Sequence, residues 1–91
     1  MKVVVTEAAF ADILSIGRFI MQDSPLRADT FVSELFDSCH KLEFMPRTHP
    51  LPPGREASGI RRKPHGNYLI FFRIVGSSVG ALHVSAWSAG L

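Results

Sequence analysis

The sequence predicts an α+β fold in two layers, with a pair of helices on one face of an antiparallel sheet. Three observations carry that prediction. Apolar residues recur at helical spacing through two stretches before residue 45. From Ile60 onward they recur at the spacing of strands. Between the two regimes, Pro46 to Ser58 holds four prolines and Gly54, which break regular structure and make a connecting loop.

The chain opens with Lys2-Val3-Val4-Val5, a β-branched run that predicts a first strand. Thr6 suits an N-cap, and Glu7 suits the positive end of a helix dipole. Ala9, Ile13, Ile16 and Ile20 then fall on one face of a helix from about Glu7 to Gln22. Asp23-Ser24-Pro25 stops it and starts the next, with Ser24 as N-cap and Pro25 at the first helical position. In the second helix Ala28, Phe31, Val32, Leu35, Cys39 and Leu42 share a face, and Pro46 closes the segment. Two amphipathic helices joined this tightly pack as antiparallel neighbours. The proline loop is long for a structureless connection and is expected to be mobile or moulded by a partner.

The stretch from Ile60 to Val75 organises the second half. Arg61-Arg62-Lys63 leads into a Pro-His-Gly-Asn turn and then Tyr68-Leu69-Ile70-Phe71-Phe72-Arg73-Ile74-Val75, which reads as a β-hairpin. Gly76-Ser77-Ser78 turns the chain into a last strand, with Leu82, Val84 and Ala86 on one face and Ala81, His83, Ser85 and Trp87 on the other. The predicted order is one N-terminal strand, a helical hairpin, then three antiparallel strands. The strand from Tyr68 is apolar on both faces, so both need cover. Tyr68, Ile70, Phe72 and Ile74 are assigned to the helices, because the strand's one charge, Arg73, has the opposite parity. Leu69, Phe71, Val75 and Trp87 are then left on a second face beside Arg73 and His83. A small monomer rarely leaves such a patch open, so a partner chain or the proline loop is expected over it. A homodimer made for stability is the competing account.

With 91 residues the chain has room for one core, and 46% hydrophobic with 20% charged residues excludes a disordered tail. One cysteine cannot form an internal disulfide, which suits a reducing cytoplasm. The N-terminus has no signal-peptide pattern, and no apolar run approaches the ~20 residues of a membrane span. Charge is uneven: residues 1–45 carry four Lys/Arg and seven Asp/Glu, residues 46–91 six Lys/Arg and one Glu. A basic second half suits an anionic partner, nucleic acid or an acidic protein segment; a merely solvated basic surface fits six cations equally well.

Ala9-Phe10-Ala11-Asp12-Ile13, Ile16, Ile20, Asp23-Ser24-Pro25, Ala28 and Phe31-Val32 resemble the helical hairpin of the ParE branch of the RelE/ParE toxins. The resemblance continues through Leu42, Phe44-Met45-Pro46, Leu51-Pro52, Gly59-Ile60-Arg61-Arg62 and Gly66 to Arg73, and so covers nearly the whole chain. It implies one RelE/ParE-like domain over residues 1–91, the toxin of a type II toxin–antitoxin pair. Such toxins are held inactive by a ParD-like antitoxin, which itself contacts DNA; ParE members are associated with poisoning DNA gyrase, and their RelE sisters cleave messenger RNA on the ribosome. The resemblance thus implies a growth inhibitor that acts by binding. Arg61, Arg62, Arg73 and His83 are the residues expected to meet the target, and Leu69, Phe71, Val75 and Trp87 to meet the antitoxin. Many ParE relatives end in a His-Gly-Ala-Arg-Asp-like segment, where this chain reads Ala86-Trp87-Ser88-Ala89-Gly90, and His83 stands where relatives often have Arg. The departure points to a weakened toxin wherever activity rests on that arginine.

Catalytic signals are sparse. A RelE-type nuclease needs a base for the 2′-hydroxyl and cations for the charged phosphorane. Arg61, Arg62 and Arg73 suit the second role. For the first, Tyr68 has core parity, His40, His49 and His65 lie off the sheet face, and His83 alone falls beside Arg73. RelE-like enzymes often carry a catalytic tyrosine near the C-terminus, and this chain has none there. No nucleophile elbow, metal-ligand spacing or phosphate-cradling glycine pattern occurs, and Cys39 lies on an apolar helix face, so no catalytic residue, cofactor, metal or small-molecule substrate is expected. A ribosome-dependent nuclease and a non-toxic interaction module remain the alternatives.

Overall fold

The computed structural model describes residues 1–86. Strand β1 (Lys2–Val5) is followed by helices α1 (Glu7–Met21) and α2 (Pro25–His40), then β2 (Ile60–His65), β3 (Tyr68–Val75) and β4 (Ser78–Ala86). Both helices begin where the caps predict. The Thr6 hydroxyl accepts from the Ala9 N–H at 3.2 Å, and the Ser24 hydroxyl from the Arg27 N–H at 3.3 Å, so each satisfies an amide that the helix leaves unpaired. The helices cross closely at Gly17, where a Cβ would stand 2.6 Å from Cγ2 of Val32.

The sheet has four strands in the order β1-β4-β3-β2. β2, β3 and β4 form the expected antiparallel run, and β1 adds to it in parallel, with Val3 opposite Val79 and Val5 opposite Ala81. The predicted three antiparallel strands are therefore present, and the first strand, whose partner the sequence left open, extends them by lying beside the last. Val3 and Val5 contribute to the core through that pairing. The turn into β3 has Gly66 at φ +58°, a left-handed conformation that glycine adopts without a steric penalty.

Ile13, Leu35, Leu42, Ile70, Phe72 and Val79 make the centre of the core, all essentially inaccessible to water. Ile70 and Phe72 come from the β3 face assigned to the helices, and half-buried Tyr68 and Ile74 extend it. β4 departs from strict alternation. Phe71 pairs with His83 but Phe72 with Ala81, so Leu82 is left over as a bulge. Val79 and Ala81 are thus buried before the bulge and Val84 after it, which moves Ala81 to the helix side, opposite to its predicted face. Thr6 ties this point down: its N–H and hydroxyl donate to the Ala81 carbonyl at 3.1 and 2.8 Å.

The proline-rich segment is held by short-range bonds and two single 3₁₀ turns, Pro46–Thr48 and Glu56–Ser58. It passes around the β2 edge: the Arg47 and His49 carbonyls meet Arg61 on the helix side, while Pro52 and Arg55 stand near Phe71 on the other.

Candidate interaction surface

Pairing register decides which predicted residues share a surface. Arg62 pairs with Phe71 and Ile60 with Arg73, so Arg62, Phe71 and Arg73 lie on the face away from the helices, with Val75 beyond them and His83 alongside Phe71. Arg61 pairs with Phe72 and points to the helix side. Its guanidinium donates to the His49 carbonyl at 2.7 Å and reaches the Arg47 carbonyl at 3.4 Å. Grouping Arg61 with Arg62 is therefore corrected: successive residues of a strand face opposite ways, and Arg61 pins the proline loop instead.

The apolar half of the predicted surface is smaller than expected. Val75 is 63% exposed, but Phe71 is half-buried beside Pro52, Arg55 and Ile60. Leu69 is only 8% exposed, which corrects its assignment as a contact for another chain. It stands in register between Pro64 and Ser85 and lines a hollow with Arg62, Gly66 and Tyr68, so this chain's own residues shelter it. Trp87 lies outside the described residues. Arg73, exposed, donates to the Ser58 carbonyl at 3.2 Å. Tyr68 faces the helices, its ring 5.5 Å from that of Phe31.

His83 has a partner that sequence reasoning missed. Asp12 of α1 reaches the edge of β4 beyond the end of β1, where Oδ2 lies 3.2 Å from Nδ1 of His83. The same oxygen accepts the Val84 N–H at 3.0 Å. The carboxylate thus substitutes for a neighbouring strand at an otherwise unpaired amide. Asp12 and His83 are 71 residues apart, and helical periodicity alone marks Asp12 only as a polar position.

On the helix side of β2, Lys63 donates to the Ser38 carbonyl at 2.9 Å, which places a cation at the C-terminal end of α2. Burial, and then the nearby charge of Lys41, lower its pKa from the ordinary lysine value. Burial pushes the Cys39 thiol up to about 11, which disfavours the reactive thiolate near neutral pH. His49, half-buried with its ring centroid 5.8 Å from that of Phe72 in an edge-on arrangement, has its pKa lowered by burial and then by the charge of Lys63. Among the described residues no helix is long and apolar enough to cross a membrane.

Sequence reasoning also passed over the segment that joins α2 to the loop. Met45 is the one non-glycine with positive φ among the described residues, at φ 50° and ψ 47°. Such backbone costs on the order of 1–3 kcal/mol and persists only where its surroundings impose it. Here the N–H and hydroxyl of Thr48 both donate to the Met45 carbonyl, at 3.2 and 2.8 Å, and buried Pro46 follows. The turn leaves Phe44 68% and Met45 73% exposed.

Comparison with known proteins agrees with this architecture. A solved structure described as a chromosomal ParDE TA system from P. aeruginosa superposes with a TM-score of 0.83 at 20% identity, covering 97% of each chain, and so shares the fold. No curated protein sequence matches. The family model for the ParE toxin of the type II toxin–antitoxin system parDE matches residues 3–85. The chain belongs to the ParE toxin family.

Proposed function

We propose that this toxin inhibits DNA gyrase in the cytoplasm by binding, and that a ParD-like antitoxin neutralises it by seating over the open face of the sheet. The observation that supports this most is that face itself. Arg62 and His83 flank Phe71, and Arg73 stands between Phe71 and exposed Val75 along the same face, an arrangement that suits an acidic, amphipathic antitoxin segment. Complementary charge speeds such association, and apolar contacts at its centre slow dissociation. Arg62, Arg73 and His83 are the cations proposed to meet the target when the antitoxin is absent; Arg61 is left to fix the loop. Contact with DNA is indirect, through the antitoxin.

The test is to purify the chain with and without the product of its neighbouring gene. The toxin alone should block gyrase supercoiling and trap gyrase-cleaved DNA, leave ribosome-bound message intact, and lose these effects when the neighbour's product is added. Intact supercoiling at saturating toxin overturns the gyrase target.

One observation favours a second reading, ribosome-dependent cleavage of messenger RNA. Asp12 lies 3.2 Å from Nδ1 of His83, an orientation that leaves Nε2 available as a general base. Under this reading message is cut only on the ribosome, and His83→Ala abolishes cutting. Under the gyrase reading His83→Ala weakens binding and no cleavage is seen with either protein. A chain whose expression leaves growth unaffected is an interaction module instead.

A further inference from the structure

Phe44 and Met45 lie outside the core, and neither belongs to a strand of the sheet. They sit at the pole where α2 ends and β1 begins: the Met1 amino group donates to the Glu43 carbonyl at 3.2 Å, and the Phe44 N–H donates to the Lys41 carbonyl at 3.1 Å. Lys2, Lys41 and Arg47 are exposed around it. Among the described residues none of these cations has a carboxylate within ion-pairing distance. Glu43 is the one acidic residue between Lys41 and His49.

Three features of this pole belong together. Two large apolar side chains are held in water, their backbone is fixed in a strained conformation, and the surrounding charge is positive. For the folded chain alone each feature is unfavourable: glycine at 45 would remove the strain, and polar side chains would remove the exposed apolar surface. A fixed, convex apolar knob suits a preformed pocket in a folded partner, because no ordering of the knob remains to be done on binding. A segment that wraps a toxin instead seeks grooves and sheet faces. Methionine and phenylalanine are common anchors at the centres of protein interfaces, and the cationic rim selects a pocket edged by carboxylates.

We infer that Phe44 and Met45 are the anchor by which this toxin engages its target, a folded protein that presents an apolar pocket with an acidic rim, and that the antitoxin binds elsewhere. The inference rests on the toxin reading above and adds to it a second surface.

The test compares the wild type, the double variant Phe44→Ala/Met45→Ala, and Met45→Gly, using purified DNA gyrase, the neighbouring gene's product and a plain duplex DNA as probes. The double variant should bind gyrase about 30-fold more weakly, the loss expected on removing an interface anchor. It should bind the antitoxin as the wild type does. Met45→Gly should weaken gyrase binding while leaving the Tm equal or higher, since the strain is relieved; a merely structural turn would not separate the two readouts. Unchanged gyrase binding by the double variant overturns the inference. So does an equal loss of antitoxin binding, or a loss confined to duplex DNA, which would assign the pole to another partner. If the wild type does not bind gyrase, the gyrase reading fails by itself and growth decides the pole. Growth slowed by the wild type and spared by the double variant upholds the anchor; growth slowed equally, or by neither, overturns it.

Discussion

The two faces of β3 begin with similar side chains and meet opposite conditions. Ile70 and Phe72 on one side are fully buried under the helices, while Phe71 on the other is half-covered and Val75 is 63% exposed. Helices α1 and α2 span the first face, whereas at the second, among the described residues, Pro52, Arg55 and Ser58 of the proline loop come beside Phe71. Apolar character in a strand therefore marks a need for cover without saying who supplies it. Parity relative to Arg73 supplied the missing information, because an unpaired charge is costly in a core.

Truncation of each face breaks or sharpens this contrast. Phe72→Ala should destabilise by about 3–5 kcal/mol, whereas Val75→Ala should stay within about 0.5 kcal/mol. Urea unfolding of the two variants decides it, and similar losses would mean that the open face is as much core as the other. A second test concerns the helix layer. Gly17→Ala drives a methyl against Val32 at a cost of about 1–3 kcal/mol, offset by up to about 1 kcal/mol of helix propensity. The double variant Gly17→Ala/Val32→Ala should recover most of the crowding cost, which thermal unfolding of the three proteins will report.

At the sheet edge, Asp12→Ala leaves the Val84 N–H without its partner, and should cost about 1–2 kcal/mol and accelerate hydrogen exchange at that amide. Unchanged exchange would show that the carboxylate does not guard the edge. The smallest effect belongs to His49. Its folded pKa lies below the ordinary 6.5, so the unfolded chain binds more protons around that pH. Stability should fall as pH drops through 6.5 towards the lower folded value, and His49→Gln should flatten that slope in a pH series of urea midpoints.

The helical hairpin was legible because its signals are local: Thr6 and Ser24-Pro25 announce their own caps, and the apolar spacing supplies the buried face. The burial of β3 towards the helices was legible for the same reason. β4 was not, since the bulge at Leu82 resets an alternation that the sequence shows no sign of interrupting. The place of β1 depends on pairing with residues more than seventy positions away, which no local pattern encodes. Of the surface, Arg73 and His83 were placed on the correct face by parity. The separation of Arg61 from Arg62 follows from the same alternation, which was not applied to that pair. Asp12 and the strained Met45 depend on tertiary geometry and could be found only there.

The pairing of the first strand with the last has an implication for how the protein comes into being. Val3 and Val5 find their neighbours, Val79 and Ala81, only after more than seventy further residues have been made. No fragment lacking β4 can complete the sheet, and closing so long a loop makes this a late step in folding. A toxin built this way gains its working shape only once β4 has left the ribosome.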